Sequence, residues 1–163
     1  MTDNNPYGKY VEGRDLLASL DETSKRIELL VRGWTPEMFD RSYAPGKWSA
    51  RQLLTHLLHT EIVFGDRIRF ALTTPDYVVV PFDQDDWMKV ENTIDAASAL
   101  AAYSSLRRVN LAFFRSLTPA QRTRKMQHPE RGEIDVNWII TALAGHDRHH
   151  LPQFEAIAAG ATV

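Results

Sequence analysis

Cysteine is absent from the sequence. Its absence excludes disulfides, zinc–thiolate sites and a cysteine nucleophile, and it leaves His, Asp and Glu as the side chains able to hold a metal. It also fits a cytoplasmic protein, because disulfides are rare in the reducing cytosol. No apolar run approaches the roughly 18–20 residues that a helix needs to span a bilayer, so no membrane partner is expected. Charge of one sign is lacking too. The 19 Lys and Arg nearly balance 21 Asp and Glu, so no basic field recruits nucleic acid. The opening stretch, MTDNNPYGKY, has no hydrophobic signal segment. With no internal repeat and no Gly/Ser linker, residues 1–163 read as a single domain. Apolar residues at 44% and charged residues at 25% are the proportions of a globular chain able to bury a core.

Four long segments have helical periodicity, near residues 11–32, 49–73, 95–117 and 135–158. In the first, Leu16, Leu20, Ile27 and Leu30 share a face. The second opens on Ser49 and Gln52, the spacing of a capping box. The third carries Ala102, Leu106, Val109 and Phe113 on one stripe, and Thr118-Pro119 behind it starts a short turn. The expected fold is all-α, a four-helix bundle with little or no sheet. The connection between helices two and three, Thr73–Thr93, is too long for a routine link. It permits a topology in which those two helices run parallel. Its YVVV run, Tyr77–Val80, could be extended but has no evident partner strand. The connection's apolar residues, among them Val79, Phe82 and Trp87, exceed what a solvated loop exposes. They should cover the bundle, line a site or meet a second subunit.

Three of the six histidines fall in HDRHHLPQ, residues 146–153. On a helical wheel Ile139, Leu143, Phe154 and Ile157 define the apolar stripe of helix four. His146 and His150 lie in its middle, about 40° apart. Gln153 joins them, His149 sits to one side, and Asp147 and Arg148 point away. Two core imidazoles and an amide would leave several buried nitrogens in need of partners, which hydrogen bonds or one metal ion could supply. Helix two offers His56 on the flank of the face formed by Leu53, Leu57, Phe64 and Ile68, whereas His59 falls nearly opposite and should be solvated. His128 lies in the polar stretch KMQHPERGE and should be exposed. Glu61 falls near the centre of the apolar stripe, where a carboxylate must be paired or protonated. Its expected role is a structural hydrogen bond or ion pair, with an outer-shell or proton-transfer role as the alternative.

The stretch PGKWSARQLLTHLLHTE, followed by FDQDDW and then HDRHHLPQ, resembles the DinB-like/YfiT-like superfamily of metal-dependent enzymes over nearly the whole chain. The resemblance implies a four-helix bundle, often a homodimer, with a divalent metal on three histidines. Carried onto this sequence, the ligands are His56, His146 and His150, and Trp48 matches the family tryptophan, read as packing at the helix start. Pro152 departs from a regular last helix and should bend it, and His149 adds a fourth possible ligand. Three imidazoles would suit Zn, Ni, Fe, Co or Mn and leave positions open for water or substrate. Relatives of this kind include thiol S-transferases using low-molecular-weight thiols, and hydrolases. The substrate is then a small molecule, and the chemistry thiol S-transfer or hydrolysis. The other reading is a non-catalytic, stress-linked metal-binding or interaction protein. A cavity beside the site would separate the two.

Overall fold

The computed structural model describes residues 5–160, so the first four residues of the opening stretch lie outside it. Four long helices dominate: α1 (Leu16–Val31), α3 (Ala50–Thr73), α5 (Ala96–Ser116) and α7 (Val136–Ala158). Short helices α2 (Pro36–Phe39), α4 (Gln84–Val90) and α6 (Pro119–Arg122) interrupt the three connections. No helix of the described residues is long and apolar enough to cross a membrane.

Side-chain caps set the helix starts. Ser49 Oγ accepts from Gln52 N while Gln52 Oε1 accepts from Ser49 N, the reciprocal box expected for α3. Asp95 and Asp135 cap α5 and α7. The first helix begins later than its periodicity suggests. Asp15 accepts from Ala18 N, and Gly13 stands at φ 69°, so the chain turns before α1 and a single 3₁₀ turn occupies Gly8–Tyr10. Pro152 lies inside α7, which nevertheless continues to Ala158.

Cross-helix bonds reveal the topology. Along α3 and α5 the partners advance together: Arg51 with Asn92 ahead of α5, Glu61 with Arg107, and Arg69 with Asn110. These helices are therefore parallel, as the long connection permitted. α1 and α7 are parallel as well, since Glu22 pairs with Arg148 and Arg26 with Glu155. Each long helix packs mainly on its parallel partner and on one member of the other pair, α3 on α7 and α1 on α5. The successive helices α1 and α3 thus sit on a diagonal.

Two corrections to the sequence reading concern extended structure. The KMQHPERGE stretch is a hairpin, with β1 (Lys125–His128) antiparallel to β2 (Gly132–Asp135). Met126 and Ile134 face each other in its register and are both buried, an alternation too short to stand out from its polar neighbours. The YVVV run does find a partner: Val79 N donates to Gln127 O and Gln127 N to Tyr77 O. Val79 and Met88 are buried, so the connection covers the bundle, while Val78 and Val80 stay exposed.

The core is split by a polar layer. Leu20, Ile68, Phe114 and Leu143 belong to one apolar cluster, and Ile27, Leu57, Tyr103 and Phe154 to the other. Between them Arg107 reaches out from α5 to each of the other long helices. It forms an ion pair with Glu61 on α3, donates to the Leu20 carbonyl on α1 at 2.9 Å and pairs with Asp147 on α7 at 2.7 Å. Asn110 donates to the other Glu61 oxygen at 2.8 Å. Glu61 therefore has the structural pairing expected of it. The α5 stripe does not: Ala102 and Val109 are exposed, and the buried face carries Tyr103, Arg107 and Asn110 instead. Apolar periodicity points the wrong way on a helix that buries an arginine. Asp147 likewise turns inward, because Arg107 supplies its counter-charge and Tyr103 OH donates to it.

Candidate metal centre

His56 comes from the second turn of α3, and His146 and His150 from successive turns of α7. Their Nε2 atoms converge: His56 to His146 is 2.8 Å and His150 to His146 is 3.1 Å. One ligand atom from each lies within 4.8 Å of the others, and all three residues are buried. A lone pair directed at a lone pair is repulsive, so this cluster requires either protons between the nitrogens or one cation shared among them. The donor set fits a borderline divalent metal.

The ring environments favour neutral imidazoles, the form that ligates. Burial holds His56 well below the ordinary histidine range, and the neighbouring His146 and His150 push the same way. Burial, followed by His146, brings His150 down to about 3, against an opposing hydrogen bond from Gln153. That bond, 2.7 Å between His150 Nδ1 and Gln153 Oε1, places the ring proton on Nδ1 and leaves the Nε2 lone pair free, as a ligating imidazole requires. Gln153 thus has a purpose on the face it shares. The ring centroids of Trp48 and His56 lie 4.8 Å apart, and those of Tyr7 and His146 lie 5.1 Å apart with the rings nearly perpendicular. His56 Nδ1 and His146 Nδ1 are buried without hydrogen-bond partners among the described residues.

The other histidines separate from the cluster. His149 Nδ1 meets Tyr10 OH at 3.0 Å, and the ring packs on Tyr7 and Tyr10. His59 is not solvated, contrary to its position on the helical wheel. It is fully buried, with Nε2 2.6 Å from Glu91 and its ring against Trp87. The connection between α3 and α5 folds over that side of α3, which a wheel cannot foresee. His128 stands on β1, partly covered rather than fully exposed, beside the cavity that reaches the cluster.

That cavity has a volume of about 310 Å³. His56 and His146 form part of its wall, with Tyr7, Phe64, Phe82 and Trp138. A second hollow, of about 400 Å³, reaches His150 and Gln153 beside Trp48 and Lys47. Gln84 at the start of α4 borders both. Phe82 lines the site, one of the outcomes expected of the connection's apolar residues, whereas sequence reasoning missed Tyr7, which comes from an irregular segment without periodicity. Tyr7 is admitted by Gly145, where any Cβ would collide with the Tyr7 carbonyl.

A family model described as the DinB superfamily matches residues 19–154. A protein of Oceanobacillus iheyensis named "putative metal-dependent hydrolase" is 28% identical, over 96% of this chain and 96% of its own length. A protein of the same name from Bacillus mycoides is 23% identical, over 82% of this chain and 78% of its own. YfiT from Bacillus subtilis, described as "a probable metal-dependent hydrolase with an unusual four-helix bundle topology", superposes with TM-score 0.80 at 24% identity, covering 89% of this chain and 85% of YfiT. The mycothiol-dependent maleylpyruvate isomerase superposes with TM-score 0.69 at 11% identity, over 94% of this chain and 62% of the isomerase. Both structures share the fold.

Proposed function

The chain belongs to the DinB superfamily, and from that premise we propose that it is a metal-dependent enzyme acting on a small molecule, by thiol S-transfer or hydrolysis, with His56, His146 and His150 as the metal ligands. One observation carries the enzymatic reading: a cavity of about 310 Å³ has two of these histidines in its wall. A storage or interaction site has no use for such a cavity, whereas a substrate site requires one. Three protein ligands leave coordination positions open, as catalytic sites do and closed structural sites do not.

A divalent ion held there supplies a Lewis acid able to polarise a carbonyl or acidify a bound water or thiol. The chain's own residues do the rest. Trp48 and Tyr7 pack on the ligand rings and fix their planes. Gln153 sets the His150 tautomer. Phe64, Phe82 and Trp138 provide apolar wall that excludes water from the reacting group. The second hollow at His150 gives a separate approach, suited to a reaction between two molecules such as a thiol and an electrophile.

A homodimer is part of the same reading. Ile62, Phe70, Val78 and Val80 expose apolar surface on the side of α3 where the connection crosses. The deciding experiment loads the purified protein with zinc, nickel, iron, cobalt or manganese in turn. Each form is assayed with low-molecular-weight thiols plus electrophiles, and with esters and amides. Metal-dependent turnover lost in His150→Ala supports the proposal. A metal-loaded protein inert to every class would favour the non-catalytic alternative.

A further inference from the structure

Four residues of α3 step along the cavity wall: His56, Thr60, Phe64 and Arg67. Their spacing, i, i+4, i+8 and i+11, holds them within about 80° of one face. The ladder begins at a candidate metal ligand and ends three turns later at a buried cation. Arg67 is 7% exposed. Its Nη2 donates to the Val80 carbonyl at 2.9 Å, its guanidinium lies 5.4 Å from the Phe64 ring centroid, and its Nε is buried with no partner.

Arg67 makes no ion pair among the described residues. The contrast with Arg107 is direct, since that buried guanidinium has carboxylates from Glu61 and Asp147. A buried charge without a counter-ion is costly, and a carbonyl and an aromatic face compensate only in part. Two carboxylates do line the cavity, but neither neutralises Arg67. Asp83 caps α4 through Oδ1, and Glu130 sits on the exposed hairpin turn, acting on Arg67 from beyond ion-pair distance. His128 and Arg131 stand on the same wall. Burial, and then the positive charge of Arg67, lower the His128 pKa.

We propose that Arg67 is an anion subsite: it receives the carboxylate of an elongated small substrate whose other end reaches the three-histidine cluster. This rests on the reading of that cluster as a metal site. The Cα atoms of His56 and Arg67 are about 16 Å apart along the helix axis. Because helical side chains lean towards the N-terminus, the guanidinium reaches back along the cavity. The substrate must therefore carry its anionic group several bonds from the reacting atom.

The test uses the full chain loaded with zinc and a series of ω-mercaptocarboxylates of increasing length, each paired with the ω-mercaptoalcohol of the same length. Affinity is measured by calorimetry, and the Arg67 Nε–H signal is followed by NMR. At the best length the carboxylate should bind at least about tenfold more tightly than the alcohol, the value of a charge-assisted bidentate contact. It should also move the Nε–H signal, which the alcohol leaves in place. Arg67→Met should abolish the preference and retain the zinc. Equal affinities at every length, a preference that survives Arg67→Met, or a silent Nε–H signal would each overturn the subsite. The NMR readout on the unmutated protein decides the matter even if the variant folds poorly. Should zinc fail to bind, a carboxylate-dependent Nε–H shift in the metal-free protein would still support the subsite and count against the metal reading alone.

Discussion

Replacing Arg107 with Met should be among the most damaging single changes in the protein. The substitution fits the volume of the aliphatic stem but removes the guanidinium that joins α5 to Glu61, Asp147 and the Leu20 carbonyl. Both carboxylates are fully buried. Burial raises the Asp147 carboxyl and Arg107 opposes it, so that the group stays below the usual carboxylate range. Without the arginine, one or both acids must take up a proton or remain charged in the core. Breaking a buried ion pair from one side costs about 3–5 kcal/mol, which in a chain of this size lowers Tm by roughly 6–20 °C. Thermal unfolding at neutral pH, followed by circular dichroism, measures the loss. The triple variant Glu61→Gln, Arg107→Met, Asp147→Asn should recover a large part of it, because no uncompensated charge remains. A single variant within about 1 kcal/mol of wild type would refute the premise that this charge layer is held together by Arg107.

Further outcomes follow from the same structure. In the metal-free protein the folded-state pKa values of His56 and His150 are depressed below 6.5, so the unfolded chain binds protons first. Their contribution to stability is complete above about pH 6.5 and erodes by up to about 1.4 kcal/mol per pH unit per group as pH falls towards the folded value, about 3 for His150. Denaturant titrations across that window should show the slope, and bound metal should extend it to lower pH, because ligation keeps the folded-state imidazoles unprotonated. His59→Ala should cost about 1–3 kcal/mol, because it empties a buried ring site against Trp87 and removes the bond to the half-exposed Glu91, while metal content measured by atomic absorption is unchanged. Gly145→Ala should displace the Tyr7 segment, since the new Cβ meets its carbonyl. The expected cost is about 1–3 kcal/mol, with faster proteolysis of the N-terminal segment.

The sequence made the bundle legible because its helix starts are chemical rather than merely periodic. Ser49 and Gln52 identify themselves by spacing, and Thr118 with Pro119 by residue type. His146 and His150 were legible because one turn separates two polar rings on an otherwise apolar stripe. Periodicity failed wherever polar groups satisfy one another in the core. Arg107, Asn110 and Asp147 count as surface residues on any hydropathy scale, and only their mutual contacts make burial tolerable. His59 departs from its wheel position for a related reason, since the face of α3 opposite its core is covered by the connection between α3 and α5. Arg67 gave one unused signal, its return to the face of His56 after eleven residues, but the wall opposite is contributed by segments with no period to read.

Metal binding by the unmutated protein and its histidine variants tests the central claim most directly. Wild type should bind one divalent ion per chain, and X-ray absorption on the zinc form should show imidazole nitrogens at about 2.0–2.2 Å. His56→Ala, His146→Ala and His150→Ala should each lose stoichiometric binding, while His128→Ala retains it. Undiminished binding in any of the first three variants would contradict the assignment of His56, His146 and His150 as the site.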